Sequence, residues 1–226
     1  MKRTFYTEVA YLLGVAVLAL GTAMMERADF GVSMVVAPAY LIHLKASQYF
    51  SFFTFGVAEY TLQAALIVAV AVIQRKWKKY YLFSFVTAVL HGTLLDGAIL
   101  LISIVFRTSM VSRILCYGMG MVLCSAGVAL LFRTYVTLGA YELFVKEISN
   151  KLQVPIGKFK TIYDCTSCLV SIMLSFACFG LWHFEGIKGG TIVCALLNGW
   201  LIAQITVLLE KLFDFDDALP LRKYFE

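Results

Sequence analysis

Six long apolar spans constrain the fold of this chain more than any other feature of its sequence. Each is close to the ~20 residues that an α-helix needs to cross a hydrocarbon layer about 30 Å thick. Of all residues, 61% are hydrophobic and 15% are charged, a balance outside the range of soluble globular domains. The sequence therefore predicts an all-α polytopic membrane protein, with residues 1–226 in a single transmembrane domain. The spans are 9–25, 46–74, 80–106, 114–132, 165–182 and 189–209.

Landmark residues of the first half recur in the second half at an offset of 105 to 107 positions. Each half holds three spans, and an odd number of crossings requires the second half to lie inverted relative to the first. Inverted repeats are a recurring architecture of secondary transporters. We therefore predict two inverted-topology three-helix repeats, at 7–106 and 110–212, and a cytoplasmic tail at 213–226. The matched pairs are Gly21 with Gly127, Arg27 with Arg133, Glu59 with Asp164, His91 with Asn198, and Gly92 with Gly199.

The distribution of lysine and arginine predicts the orientation of the chain. With the N-terminus inside, 14 of these 19 residues fall on inside loops and ends and 5 fall outside, and cytoplasmic loops are typically enriched in positive charge. Both termini are therefore predicted on the cytoplasmic side of a bacterial cytoplasmic (inner) membrane. The net charge of +5 marks that face and requires no nucleic-acid partner. The outside residues are Arg27, Lys45, Arg107, Arg113 and Lys188.

A shorter, less hydrophobic stretch follows the first span of each half and starts at a glycine. Residues 31–44 and 139–152 each provide about three turns of helix, too short to cross the membrane. Two interpretations stay open. The stretches either lie flat in the membrane interface as amphipathic helices, or re-enter the membrane as broken segments whose backbone lines a cavity.

Polar side chains within the apolar spans are the candidate functional residues. A carboxylate or imidazole in hydrocarbon is costly, so it normally faces a partner or a wet cavity. Because the repeat relates Glu59 to Asp164, we predict that both face one central site, with His91 and Asp96 close by. The alternative is a static polar clamp between helices. The candidate substrate-binding or proton-binding residues are Glu59, Tyr60, Gln63, His91, Asp96, Tyr163, Asp164 and Asn198.

A second group of charged residues lies near the ends of spans and in the short stretches. Arg27 and Arg133 can extend their long side chains to the membrane surface, which is a sufficient explanation for each. If the short stretches re-enter the membrane, these arginines can instead meet an anionic group or a central carboxylate. The candidate gating residues or charge partners are Arg27, Asp29, Arg133, Glu142 and Lys160.

Motifs for processing, catalysis and metal binding give little support to other functions. The end of the first span, at 26–29, lacks a small-residue cleavage pattern, so we predict a permanent helix rather than a signal peptide. Cys165 and Cys168 form a C-x-x-C, which we interpret as structural, with redox or metal chemistry as the alternative. The sequence has no H-E-x-x-H, nucleophile elbow or P-loop. We therefore predict no enzyme activity, no metal and no cofactor.

Three short motifs resemble a known family. The run GTAMMERADFGVS at 21–33, the run HGTLLD at 91–96 and the run GGTIVCALLNG at 189–199 are similar to signatures of the YczE/YitT-like family of bacterial integral membrane proteins. Met34 stands where that family usually has proline, and the turn in the second half is degenerate. The resemblance implies a membrane fold and location, and it supplies no substrate.

Two function classes fit the sequence. The first is a small-solute transporter that uses a site between the repeats. It would be a secondary transporter, and proton coupling is one possible mechanism. The second is a non-transporting membrane scaffold or accessory protein. Carboxylates outnumber bases inside the spans, which favours a cationic or zwitterionic solute or proton coupling, unless Lys160 and the arginines turn inward. The expected partners are the lipid bilayer and the solute. The sequence leaves open whether the protein forms a homodimer.

Overall fold

Helices make up most of the described chain, and six of them are long and apolar enough to cross a membrane. The prediction of a multi-pass helical membrane protein is therefore confirmed. The structure, a computed structural model, describes residues 3–31, 33–50, 52–53, 55–105, 109–136, 139–180, 188–220 and 222. The helices are α1 Thr7–Ala28, α2 Ala37–Ala46, α3 Phe55–Gln74, α4 Phe83–Val105, α5 Met110–Leu131, α6 Ala140–Leu152, α7 Ile156–Phe179 and α8 Gly189–Leu212.

Two helices begin at residues that the hydropathy pattern did not predict. Helix α7 begins at Ile156, directly after Pro155, although its apolar span begins only at 165. Charge counting excluded its first turns, but Lys160 and Asp164 neutralise each other there and are thereby tolerated within the helix. Conversely, α3 begins at Phe55 rather than at 46, because apolar residues continue into the preceding loop.

Helices α1 and α5 form the closest contact between the two halves. A methyl group at Gly21 would lie 2.8 Å from the carbonyl oxygen of Gly120, and one at Gly127 would lie 2.8 Å from that of Gly14. Since the contacting positions rise along α1 and fall along α5, the two helices run antiparallel. Small residues permit such close approach of two backbones in a membrane protein.

The remaining helices pack around this central pair. Helix α4 packs on α1, α8 packs on α5, and α7 packs on α8. The two short helices, α2 and α6, each contact both α3 and α7. The sequence segments that could not cross the membrane therefore lie between two of the spanning helices. This arrangement brings the start of α6 close to the polar residues of α3 and α7.

The two ends of the chain pair as a small parallel sheet. Strand β1, Arg3–Tyr6, lies beside β2, Phe213–Asp216, with Phe5 opposite Phe215. The ring of Phe5 also packs 5.2 Å from that of Phe213. The segment predicted as a plain tail at 213–226 therefore begins with a strand. Its alternation of phenylalanine and aspartate is the period-two pattern typical of strands.

Polar contacts at the helix ends separate into two sets. Beside the sheet, Gln74 donates to the Glu147 carboxylate at 3.0 Å, and Arg133 forms an ion pair with Glu210. At the opposite end, Asp29 forms ion pairs with Arg113 and Lys188, and each of these cations belongs to the predicted outside set. In these contacts, the arginine predicted inside and the two cations predicted outside therefore lie at opposite ends of the helices.

Candidate functional site

A buried ion pair lies on one face of α7. The ammonium of Lys160 contacts the carboxylate of Asp164 at 2.6 Å, one helical turn further along, and both side chains are almost fully buried. Two charges removed from water are tolerated where they neutralise each other and their other polar atoms are satisfied. The pair therefore needs further hydrogen-bonding partners, and two neighbouring helices provide them.

The partners of the ion pair come from α8 and α5. The Asn198 amide donates from Nδ2 to Asp164 Oδ2 at 3.2 Å, and its Oδ1 accepts from the Ser125 hydroxyl at 3.0 Å. Both Asn198 and Ser125 are buried. The chain of contacts Lys160–Asp164–Asn198–Ser125, here named the α7 network, joins three spanning helices. Each oxygen of the Asp164 carboxylate has a donor within it.

Close packing of α7 on α8 holds the α7 network in place. A methyl group at Gly199 would lie 2.7 Å from the carbonyl oxygen of Gly157 and 2.6 Å from the amide nitrogen of Thr161. Only a glycine permits the two backbones to approach so closely. Because Asn198 directly precedes Gly199, this contact brings its amide within reach of Asp164.

A second polar group lies on α3. Gln63 Nε2 donates to Glu59 Oε1 at 3.2 Å, as expected for residues one turn apart on a helix. Gln63 is only 6% exposed, yet its Oε1 accepts no hydrogen bond from any described residue. A buried carbonyl oxygen without a donor costs about 1–3 kcal/mol. The α3 group of Glu59 and Gln63 therefore has unused hydrogen-bonding capacity.

The first turn of α6 connects these two groups. The Tyr141 hydroxyl lies within electrostatic range of the Glu59 and Glu142 carboxylates, and Glu142 lies within range of Lys160 and Asp164. Tyr141 is 8% exposed, and its hydroxyl has no hydrogen-bond partner among the described residues. The α3 group, the first turn of α6 and the α7 network together form one polar region, here named the central cluster.

Aromatic rings border the central cluster. The ring of Tyr163 packs against that of Phe144, with centroids 5.4 Å apart. The Lys160 ammonium lies 5.5 Å from the centroid of the Tyr163 ring, close enough for a favourable cation–π interaction. The cluster therefore combines carboxylates, one ammonium and two amides, with aromatic faces at its border.

The structure brings four of the eight predicted binding residues into the central cluster, and a fifth, Tyr163, borders it. Among the described residues, Glu59 and Asp164 do not share a hydrogen-bond partner, and the first turn of α6 lies within electrostatic range of both. The four residues are Glu59, Gln63, Asp164 and Asn198.

The other three predicted binding residues lie elsewhere or outside the described side chains. Tyr60 is 54% exposed and lies on a different face of α3 from Glu59, since successive helical residues are rotated by about 100°. His91 on α4 is half-buried, and its Nε2 has no hydrogen-bond partner among the described residues. The side chain of Asp96 is not among the described side chains.

Three of the predicted charge partners lie at the ends of the helices, and Asp29 is the best defined of them. It follows α1 with a left-handed backbone (φ 55°), a conformation that aspartate tolerates. Its carboxylate accepts hydrogen bonds from Lys188 at 2.7 Å and from Arg113 at 3.2 Å. The hydrogen bond from Lys188, together with the charges of both cations, lowers the pKa of the Asp29 carboxyl.

The two arginines that the predicted repeat relates have different surroundings. Arg27 lies half-buried in the last turn of α1, at the end that carries Asp29. Arg133 follows α5 and forms an ion pair with Glu210 near the end of α8. The remaining two predicted charge partners, Glu142 and Lys160, belong to the central cluster.

Sequence reasoning missed a polar contact that fixes the C-terminal segment. The Glu8 carboxylate accepts hydrogen bonds from the Tyr135 hydroxyl at 2.6 Å and from the backbone amides of Ala218 and Leu219. Burial and the hydrogen bond to Glu8 raise the pKa of Tyr135 to about 12. Sequence reasoning also missed Ser125, because an uncharged serine in an apolar span gives no signal above its background.

Comparison with known proteins places the chain in a family. The family of unknown function DUF6198 matches residues 5–207, so the chain belongs to this family. It is also 23% identical over 208 residues to the uncharacterized protein YyaS of Bacillus subtilis (strain 168), covering 90% of this chain and 94% of that protein. No solved structure matches the chain.

Proposed function

We propose that this member of the DUF6198 family is a small-solute transporter of the secondary type, with its binding site in the central cluster between two inverted repeats. The observation that carries the proposal is the presence of buried polar atoms that the described protein does not satisfy. Gln63 Oε1 and the Tyr141 hydroxyl are both more than nine-tenths buried and lack partners among the described residues. In a native structure such atoms normally have a partner, and a bound solute would provide it.

The contacts between α1 and α5 support the inverted repeat. The offset of 106 relates Gly14 to Gly120 and Gly21 to Gly127. Gly21 meets Gly120, and Gly127 meets Gly14, so each contact is the image of the other. Reciprocal contacts of this kind characterise an interface formed around a two-fold axis. An axis in the membrane plane that passes between the two antiparallel helices accounts for both contacts.

The packing of the short helices follows the same relation. In the repeat, α2 corresponds to α6 and α3 corresponds to α7. Helix α2 packs on α7, and α6 packs on α3, so each short helix contacts a spanning helix of the opposite half. The full burial of Ala37, Ala39 and Leu41 on α2 supports a re-entrant position for that segment, since an interfacial helix would be covered on one side only.

A difference between the halves supports transport over a static scaffold. Gly199 on α8 packs tightly against α7. A methyl group at the matching Gly92 on α4, in contrast, would meet no described atom within 4 Å. Inverted-repeat carriers work by rocking one repeat against the other around a fixed site. The structure fits a state in which the α7–α8 pair is closed and the α3–α4 pair is open, and the opposite state would exchange these roles.

We also propose that both termini face the cytoplasm of a bacterial cell and that the protein lies in the cytoplasmic membrane. The separation of the polar contacts into two sets supports this orientation. The resemblance of the ADFGVS turn and of the glycine-rich last helix supports a relationship between the DUF6198 family and the YczE/YitT-like proteins.

Transport is tested with purified protein in proteoliposomes exposed to pools of metabolites, with solute-dependent currents and internal pH as the readouts. We expect a pool that gives a signal with the wild type and no signal with Glu59→Gln, which keeps the size of the side chain and removes its charge. The matched control is Tyr60→Phe, at an exposed neighbouring position of the same helix. If correctly inserted wild type gives no signal with any pool, the transport proposal fails and the scaffold alternative is favoured.

A further inference from the structure

The central cluster contains more negative charge than its own cation neutralises. Glu59, Glu142 and Asp164 provide three carboxylates, and Lys160 provides one ammonium. Lys160 lies 2.6 Å from Asp164, and both are buried, so its charge is already engaged. Among the described residues, neither Glu59 nor Glu142 forms an ion pair. The unsatisfied part of the cluster is therefore acidic.

The unpartnered atoms in the same region call for hydrogen-bond donors. The Gln63 amide donates to Glu59 through Nε2, so the atom left over is Oε1, which can only accept. The carboxylates of Glu59 and Glu142 also only accept while they are ionised. A solute that complements these three groups must donate hydrogen bonds, and the Tyr141 hydroxyl can accept one further bond.

Other charged groups near the cluster are already engaged or lie on its edge. On α2, which packs on both α3 and α7, His43 contacts the Phe53 carbonyl and Lys45 donates to the Cys178 carbonyl. On α4, which touches α6, the ionisable residue with a described side chain is His91. No described cation other than Lys160 forms an ion pair inside the cluster.

We propose that the central cluster binds a small organic cation with N–H donors, a protonated primary or secondary amine, between Glu59 and Glu142. The proposal rests on the transporter function and names the substrate class of that site. The ammonium would donate to the two carboxylates and to Gln63 Oε1, and the ring of Tyr141 would provide a polarisable face beside it.

Binding of such a cation is coupled to release of a proton. A carboxylate that is buried without a counter-charge neutralises itself by taking up a proton. Glu59 and Glu142 are half-buried and form no ion pair with a described residue, and on this proposal one of their two carboxyl groups carries a proton when no cation is bound. When the ammonium binds, that O–H bond breaks, the proton leaves to the open side, and the carboxylate becomes the partner of the cation. Exchange of one proton for one monovalent cation conserves the charge of the site.

The test uses thermal unfolding of the purified protein with four probes of similar size, namely n-butylammonium, n-butanol, butyrate and tetramethylammonium. We expect n-butylammonium to raise the melting temperature, because a bound ligand stabilises the native state by mass action. We also expect it to release protons in a weakly buffered solution. Butanol and butyrate should have no effect, and tetramethylammonium should bind more weakly because it lacks N–H donors.

Variants assign the effect to the cluster. Glu59→Gln and Glu142→Gln should each weaken the binding of n-butylammonium by about tenfold or more, the scale of a lost charged hydrogen bond. The matched control is Glu147→Gln. Glu147 lies on α6, as Glu142 does, but it contacts Gln74 and Lys78 outside the cluster. Tyr141→Phe should reduce binding without loss of folding, since its hydroxyl has no described partner to lose.

The outcomes separate this inference from the transport proposal. Stronger stabilisation by butanol or butyrate than by n-butylammonium, no shift with n-butylammonium, or wild-type affinity for n-butylammonium in Glu59→Gln and Glu142→Gln would each overturn the cation assignment. In those cases a solute-dependent signal in proteoliposomes would still support transport. Binding and proton release without any transport would instead overturn the transporter function and leave the cation site intact.

Discussion

The proposed repeat relates Gly199 to Gly92, and alanine substitution at each position compares a closely packed glycine with an open one. In Gly199→Ala the new methyl group would lie 2.6 Å and 2.7 Å from backbone atoms of α7, so α7 and α8 must move apart. Overpacking of this kind costs typically 1–3 kcal/mol, and the backbone contacts place this substitution near the upper limit. Alanine returns about 1 kcal/mol through its higher helix propensity. The expected net loss is about 2 kcal/mol.

In Gly92→Ala the new methyl group would meet no described atom within 4 Å. Only the gain in helix propensity applies, so we expect this variant to be more stable by about 1 kcal/mol. The two variants should therefore differ by about 3 kcal/mol. For a protein of this length, that difference corresponds to about 6–12 °C in melting temperature.

The assay is thermal unfolding of both variants in the same detergent, followed by transport in proteoliposomes. Gly92→Ala should slow transport although it is more stable, because the methyl group obstructs the state in which α3 and α4 close. The control is Gly97→Ala on the same helix, which is equally open and which the proposed repeat relates to Gln204 rather than to a packed glycine. Equal melting temperatures for Gly92→Ala and Gly199→Ala would refute the reasoning, as would unimpaired transport by Gly92→Ala.

Three further perturbations test other parts of the structure. Asp164→Asn should lower the free energy of unfolding by about 3–5 kcal/mol, because it leaves the Lys160 charge buried without a counter-charge. The apolar double variant Lys160→Met with Asp164→Leu should recover most of that loss, as measured by denaturant unfolding. No recovery would mean that the pair does more than neutralise its own charges. Because its neighbours lower the pKa of Asp29, the contact with Lys188 and Arg113 should stabilise the fold above the usual aspartate pKa and be lost as pH falls through the lowered value. For so exposed a group, this contact should contribute less than about 1 kcal/mol to the free energy of unfolding. The measurement is the melting temperature as a function of pH, and the same decrease at acid pH in Asp29→Asn as in the wild type would contradict the prediction. Tyr135→Phe removes the hydrogen bond to Glu8 and should make residues 213–226 more susceptible to proteolysis, while the exposed Tyr60→Phe should not; equal cleavage of the two would show that other contacts hold the segment.

Hydropathy predicted the number of spanning helices because a membrane imposes a minimum apolar length on each of them. It failed at the start of α7, where Lys160 and Asp164 satisfy each other one turn apart. A count of charged residues along the sequence treats each charge separately. It therefore does not register that two charges one helical turn apart neutralise each other once the helix has formed. The β1–β2 sheet was missed because four-residue strands are too short for a pattern to stand out.

The candidate site was predictable where a residue type is costly in hydrocarbon. Asp164, Glu59 and Asn198 were identified for that reason, whereas Ser125 was not, since a serine can satisfy itself on its own helix. Tyr60 was included through its proximity in sequence to Glu59, and the structure instead exposes it on another face of α3. Helical periodicity, which places Gln63 beside Glu59, was the better guide.

The polar groups of the central cluster have hydrogen-bonding partners on the α7 side, whereas the α3 side has unused hydrogen-bonding capacity. The proposed repeat explains this difference from the sequence. Asp164 is satisfied by Lys160 and Asn198, and Asn198 by Ser125. At the offsets of 105 to 107, the first half has Phe55, His91 and Ala19 at the corresponding positions. Glu59 therefore lacks each partner that fixes Asp164. On the proposed function, this difference leaves Glu59 as the carboxylate that exchanges a proton for a bound cation, whereas its partners hold Asp164 in place.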